Sequence, residues 1–480
     1  MKRSLFVIFG IIFLLKTLES FVIYGHVDAI NYHIVIAKYL SNGLWTEAWT
    51  TIPGSLMSGF FEFLYVIPHY IFDYGLKAHV SSQFLHYFFS LGIGSILVFN
   101  SIKNKDKVYA ALAGISLLTI AKGSSFFLYA KNDGPLALSI LLLYIFFERV
   151  RVKDSLSKKE LITLGFLLGL APSIKGSGIL YIIPIALTFT YLHLKKPLQV
   201  LSVALIALLT WGPILFRNYY YIGNPLFPGL IEQIPGSASQ AMIDYYSHHM
   251  SSKPTFVSIM MNIKSLFLGK VVFLLSLVCF VKNILDKRND SNKVMYFLFS
   301  SFAIMMFLNG GVTAVRFLFP AYFVLVYYIF SNISNVLPKK TYVPIILLIL
   351  CLVDSKIDKS FSRIKKMTKN YINLSEDEVI KKVIPLTAFW KHIDPSSKSL
   401  LYSDNLSQQY YAPLNMRVIQ YQHNPAAYFT KSCSSDENLE EFKMFKYALI
   451  RADIDNPCYS LILNSQKLST INEYSLYKLR

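Results

Sequence analysis

Charge is what this sequence has least of. Only 16% of its 480 residues are Asp, Glu, Lys or Arg, against about 25% in an ordinary soluble domain. With 54% hydrophobic residues and a mean hydropathy of +0.43, that deficit excludes a single soluble core. Cysteine is scarce as well: four residues, none in a CxxC or Cys/His spacing that would hold zinc. Cys279 and Cys351 lie in apolar runs, where they read as small core or lipid-facing side chains. Cys433 and Cys458 lie in a polar C-terminal part, where an oxidising compartment would allow a disulfide. There is no Gly-rich dinucleotide fingerprint, no internal repeat and no low-complexity stretch.

What is present is a series of apolar runs approaching the roughly 17–25 residues that cross a bilayer. They are Ser4–Leu18, Phe84–Ile102, Val108–Leu128, Gly134–Phe147, Leu161–Ser173, Ile179–Leu194, Leu198–Leu215, Leu266–Val281, Val294–Leu308, Phe317–Phe330 and Tyr342–Val353. The net charge of +19 does not point to nucleic acid, because Lys and Arg fall in short clusters between these runs rather than along one face. Lys103 to Lys107, Arg149 to Lys159, Lys195-Lys196, Lys282 to Lys293 and Lys339-Lys340 follow alternate runs. Together with Lys2-Arg3 they all land on the cytoplasmic side if the N-terminus is inside. Met1-Lys2-Arg3 and the run after it resemble a signal peptide, but without a clean cleavage site the run is expected to stay as a first helix.

One further apolar stretch, Leu56–Tyr74, would invert this order if it crossed. It carries Glu62, Pro68, His69 and Asp73, a poor set for lipid, so it is expected to lie on the outer leaflet. The first outer loop then runs from about Glu19 to Ser82. From Asp354 onward the chain turns polar. Helical spacing over Asp377–Ile393 and short apolar runs at Ser399–Tyr402, Arg417–Gln420, Tyr447–Ile450, Leu461–Asn464 and Tyr474–Leu479 predict a small α/β domain. The expected fold class is a polytopic α-helical membrane protein of about eleven transmembrane helices with interfacial helices on its outer face. Residues 1–354 form the membrane module and 355–480 a soluble extracytoplasmic α/β domain.

Polar groups on the outer side are where chemistry is to be sought. Asp28, in the stretch Gly25-His-Val-Asp-Ala-Ile-Asn-Tyr-His33, stands where the chain leaves the membrane, and Asp133 in Lys131-Asn-Asp-Gly-Pro135 also precedes a helix. Either acid suits a helix N-cap, and that reading is compatible with a chemical role. Lys175, in the glycine-rich turn Ser173-Ile-Lys-Gly-Ser-Gly178, suits a phosphate or a snorkelling anchor. Arg217-Asn218 with Gly223-Asn224-Pro225 and Phe227-Pro228 form a fourth cluster, and Arg316 with Pro320 a fifth.

At these places in the topology the residues resemble the GT-C superfamily of membrane glycosyltransferases, which includes protein O-mannosyltransferases and lipid-A aminoarabinose transferases. The resemblance covers roughly residues 1–335 and rests on Asp28-Ala-Ile-Asn-Tyr32-His33, Glu62-Phe-Leu-Tyr65, Lys131-Asn-Asp133, Gly169-Leu-Ala-Pro-Ser-Ile-Lys175, the Arg217–Pro228 run and Arg316-Phe-Leu-Phe-Pro320. The Arg-Asn…Gly-Asn-Pro…Pro run is its most specific part. The chain departs from the family in having a lone Asp28 followed by Ala29 rather than an Asp-Glu pair, and Lys131-Asn132 before the second acid.

The resemblance implies inverting transfer of a sugar from a polyprenyl-phosphate donor to an acceptor hydroxyl on a glycan, lipid or protein, at the outer face of a bacterial inner (plasma) membrane. Asp28 would be the base. Lys175, Arg217 and Arg316 would hold the leaving phosphate, and Asp133 would orient a cation or an acceptor group. Tyr32, His33, Glu62, Asn218 and Asn224 would line the substrate, Tyr32 and Tyr65 by stacking on sugar faces. No certain cofactor is implied, and a divalent metal remains open. A lipid donor also accords with the missing nucleotide fingerprint. Two other classes fit less well. A transporter or flippase would carry its polar sites at mid-membrane, and a glycan polymerase or ligase would carry a large central outer loop.

Overall fold

The computed structural model describes residues 2–25, 29–50, 52, 55–57, 59–104, 106–119, 127–238, 243, 246–247, 319–336, 342–353, 357–393, 399–403, 409–412, 414, 416–420, 446–451, 462, 464–471 and 474–479. The expected spans Leu266–Val281 and Val294–Leu308 lie outside these residues, as do Asp28, Arg316, Cys433 and Cys458.

The helices in chain order are α1 (Lys2–Ser20), α2 (Ile34–Ser41), α3 (Trp45–Thr50), α4 (Val66–Phe72), α5 (Leu76–Tyr87), α6 (Ile93–Ile102), α7 (Lys107–Leu118), α8 (Asp133–Val150), α9 (Lys158–Ile174), α10 (Ile179–Leu192), α11 (Pro197–Ile222), α12 (Phe319–Val336), α13 (Tyr342–Val353), α14 (Ile357–Tyr371) and α15 (Glu376–Val383). The expected spans with described residues fall on these helices, except that Val108–Leu128 overruns α7, which ends at Leu118, and leaves Phe127 and Leu128 outside any α-helix. The charged loops between them supply the starts. Asp106 caps α7 by accepting from the N–H of Val108 at 2.8 Å, and Ser157 and Glu160 close a capping box on α9.

Among the described residues two helices are long and apolar enough to cross a membrane: Leu76–Ile102, in which α5 and α6 run together through a kinked turn, and α11. At about 1.5 Å per residue each exceeds the roughly 30 Å of a bilayer core. Along α11, Leu198, Leu201, Leu205, Leu208, Leu209 and Phe216 are all exposed, Leu209 at 76%. Water would not tolerate so continuous an apolar face on a helix of this length; lipid does. The stretch Phe60–Phe72, by contrast, is a 3-10 turn (Phe60–Tyr65) followed by the short α4. At about 20 Å it falls short of a bilayer core, as do α7 and α13 at 12 residues each.

The chain divides into two compact units. The first comprises 1–22, 83–215 and 249–368, and the second 23–82, 216–248 and 369–480. Within the first, α9 and α11 pack so closely that a Cβ on Gly169 would stand 2.3 Å from the Ala207 carbonyl oxygen. Ser173 Oγ donates to the Thr210 carbonyl across the same contact, at 3.1 Å.

The second unit contains a five-stranded mixed sheet of β1 (Ser399–Ser403), β2 (Met416–Gln420), β3 (Tyr447–Arg451), β4 (Gln466–Ile471) and β5 (Tyr474–Lys478), in the order β2-β1-β3-β5-β4. The first three strands are parallel, β5 and β4 antiparallel. Leu449 and Leu476 pack with Phe389, Trp390 and Ile393 as its core. Two expectations shift here. The helix expected over Asp377–Ile393 ends at Val383, because Pro385 breaks the backbone pattern and starts a 3-10 turn over Pro385–His392. The fourth strand is Gln466–Ile471 rather than Leu461–Asn464.

Candidate functional site

In the first unit the turn before α8 is buried, with Lys131, Asn132 and Asp133 at 3% exposure or less. His86 Nδ1 lies 2.8 Å from the Lys131 carbonyl oxygen and 3.2 Å from its backbone nitrogen, and Gly134 lies against Ser90, where a Cβ would come within 2.5 Å. Asp133 is the first residue of α8, whose N-cap is Asn132, and its Oδ1 accepts from Lys175 Nζ in a close ion pair. Lys175 ends α9, and Asn132 Nδ2 donates to the preceding Ile174 carbonyl at 3.3 Å. Two acid-and-base candidates 42 residues apart in sequence are thus one pair, with the carboxylate at a helix N-terminus where the dipole favours negative charge. The glycine-rich turn after Lys175 closes on itself, Gly178 N–H donating to the Lys175 carbonyl at 2.8 Å.

In the second unit the segment 45–57 and the end of α11 meet around Arg217. The sequence reading ended the span at Leu215; the helix instead continues to Ile222, so Arg217 and Asn218 lie on its last turns. It stops because Gly223 takes φ +75°, which a glycine adopts without strain, and its N–H bonds back to the Tyr219 carbonyl at 2.8 Å. Arg217 lies over the Trp49 ring, 4.5 Å from its centroid. Its Nη2 donates to the Leu56 carbonyl at 2.9 Å and to Asn218 Oδ1 at 2.7 Å, and its Nε donates to the same Oδ1 at 3.0 Å. Asn218 Nδ2 reaches the Phe227 carbonyl at 3.4 Å. Asn224 shapes the turn beyond, accepting from Leu226 N–H at 2.9 Å and donating to the Gly229 carbonyl at 3.0 Å.

A second buried constellation joins two further candidates. His33 Nδ1 sits 2.6 Å from Glu62 Oε1, and Glu62 Oε2 accepts from the Gly59 N–H at 2.9 Å. Donation from Nδ1 to the carboxylate fixes the imidazole's orientation. Tyr32 is half-buried beside His33, their ring centroids 4.1 Å apart. Both side chains stand on the π-helical turn Ala29–His33 that leads directly into α2.

On that same helix is a residue the sequence reading passed over. Lys38 is fully buried, and its Nζ donates to the carbonyls of Tyr410 and Ala412 at 2.8 and 2.5 Å. Tyr410 Oη in turn donates to the Gly75 carbonyl at 3.0 Å, and Tyr411 Oη lies 2.7 Å from His79 Nδ1. Burial pushes the Lys38 ammonium down to about 7, with Asp73 opposing the shift, and pushes His69 beside it down to about 4. A lysine in Ile-Val-Ile-Ala-Lys-Tyr-Leu reads as the wet edge of an amphipathic helix; only its hydrophobic flanks hinted otherwise.

Among the described residues no group of three or more His, Cys, Asp or Glu converges as a metal set. Asp133 has an ammonium for its partner, which is not the environment of a cation ligand.

No known protein family and no curated protein matches the sequence. Solved structures do match in fold. The chain is similar to ArnT from Cupriavidus metallidurans bound to undecaprenyl phosphate, at 12% identity and a TM-score of 0.60, over 98% of this chain and 97% of that one. It is equally similar to the same protein in its apo state, at 12% identity and 0.60, over 99% and 98%. The chain therefore shares the overall fold of these two structures.

Proposed function

We propose that this protein transfers a sugar from a polyprenyl-phosphate donor to an acceptor hydroxyl on the outer face of the membrane, inverting the anomeric centre, with Asp28 as the base. The observation that carries the reading is the end-to-end likeness in fold to ArnT, one of whose structures holds undecaprenyl phosphate. In this reading residues 1–354 are the transferase module, 355–480 an extracytoplasmic domain, and the N-terminus is cytoplasmic in a bacterial inner membrane.

The chemistry balances without a co-reactant. The Asp28 carboxylate takes the proton of the acceptor hydroxyl, the acceptor oxygen bonds to the anomeric carbon, and the bond from that carbon to the phosphate oxygen breaks, releasing polyprenyl phosphate. Negative charge grows on the phosphate, so a cation already in place lowers the barrier. Lys175 fits this role because Asp133 holds its ammonium at the mouth of α9. Arg316 is the second candidate. Arg217 donates through Nε and Nη2 to Asn218 and Leu56, so it would brace the loop beside the phosphate. His33 and Tyr32 would face the sugar or acceptor, with Glu62 orienting the imidazole.

The test is titration of the purified chain with a short prenyl phosphate and with the matching prenol. Binding of the phosphate at least tenfold tighter, about 1.4 kcal/mol, is expected, and Lys175→Met should lose most of that preference. Equal affinity for phosphate and alcohol would defeat the reading.

A further inference from the structure

The helix after α13 carries an unusual charge. In α14, Lys359, Arg363, Lys365, Lys366 and Lys369 face a single acid, Asp358. Arg363 is used internally: its Nη1 donates to Glu19 Oε1 at 2.7 Å, while Lys16 Nζ donates to Ser360 Oγ at 2.8 Å and Ser360 Oγ to Glu19 Oε2 at 2.7 Å. These bonds pin the inner face of α14 to the last turn of α1, and only residues 354–356 separate it from α13. That link reaches at most about 14 Å. The helix is therefore held where two apolar helices end, the level of the lipid headgroups whichever way the chain is oriented.

Its outer side is left with Lys359, Lys365, Lys366 and Lys369 and the lone acid Asp358, all exposed, and with Phe361 exposed at 59%. A helix side that merely meets water would mix acids and lysines more evenly. Cations with an aromatic side chain among them, at a membrane edge, are the pattern of a surface that meets anionic lipid. We propose that α14 is a contact for the anionic phospholipid of the leaflet at which α1 and α13 end, its lysines pairing with headgroup phosphates and Phe361 entering the acyl boundary.

The test uses the purified full chain in detergent with an equimolar mixture of phosphatidylglycerol and phosphatidylcholine of the same acyl chains, and native mass spectrometry to count retained lipids. The wild type should retain phosphatidylglycerol in preference, and added salt should weaken that preference. The combined Lys359→Gln, Lys365→Gln, Lys366→Gln and Lys369→Gln variant should lower it at least tenfold, and Phe361→Ser should lower retention of both lipids. A control combining Lys103→Gln, Lys158→Gln, Lys159→Gln and Lys195→Gln removes the same charge elsewhere and should leave the preference intact. An equal loss in the control would make the effect one of net charge and overturn the assignment. So would an undiminished preference in the α14 variant, or a loss confined to added prenyl phosphate.

Discussion

Lys38→Met removes a fully buried cation of α2 while nearly preserving its volume. In the folded chain burial lowers the Lys38 pKa from 10.5 to about 7. Between those values the unfolded chain binds a proton that the folded chain does not, so the stability contributed at this site rises as pH rises through the window. The slope is at most about 1.4 kcal/mol per pH unit, or about 2 kcal/mol between pH 7 and pH 9 once partial protonation near pH 7 is allowed for. The methionine variant lacks that slope. It also leaves the Tyr410 and Ala412 carbonyls without their donor, a roughly constant loss of the order of 1–3 kcal/mol for each buried group left unmade. Thermal unfolding of the two purified proteins side by side, followed by tryptophan fluorescence, should show the gap in midpoint widening by several degrees from pH 7 to pH 9. A gap that stays constant or narrows would mean that Lys38 keeps an ordinary pKa and is not sealed beneath Tyr410.

Three further outcomes are expected. Asp28→Asn should bind prenyl phosphate as the wild type does and lose turnover by a factor on the order of 10² or more; activity within a few-fold of normal would reduce Asp28 to a helix cap, since Asn caps almost as well. Arg217→Lys cannot serve Leu56, Asn218 and the Trp49 face together, so it should lower the unfolding midpoint and weaken prenyl-phosphate binding about tenfold, or about 1.4 kcal/mol; no change in either would remove Arg217 from both roles. Gly169→Ala should cost about 1–3 kcal/mol by driving α9 from α11, read as a lowered midpoint in the purified protein.

Helices were legible in the sequence because hydropathy is a local property. The parallel strands were legible for the same reason: Ser399–Ser403 and Tyr447–Arg451 are short apolar runs between turns. The edge strand Gln466–Ile471 was not, since a strand largely open to water needs no apolar run and its Gln-Lys-Leu-Ser-Thr-Ile has none. The candidate site was legible as residue types and not as pairings. Asp133 and Lys175 each looked like an isolated turn residue, and the bond between them depends on where α8 begins and α9 ends. Arg217 looked like a cation after a span; that it lies on Trp49 and holds Leu56 depends on a segment 161 residues earlier. Lys38 was the furthest from view, its partners standing 372 and 374 residues away.

The most direct test of the central claim is mass spectrometry of lipid-linked sugars and envelope glycans, lipids and proteins from cells with the gene, without it, and with Asp28→Asn in its place. Sugar transfer from a polyprenyl phosphate predicts one polyprenyl-phosphate sugar that accumulates without the gene, one envelope product that loses the mass of that same sugar, and an Asp28→Asn strain that resembles the deletion. An unchanged pool of polyprenyl-phosphate sugars alongside unchanged envelope products would contradict it.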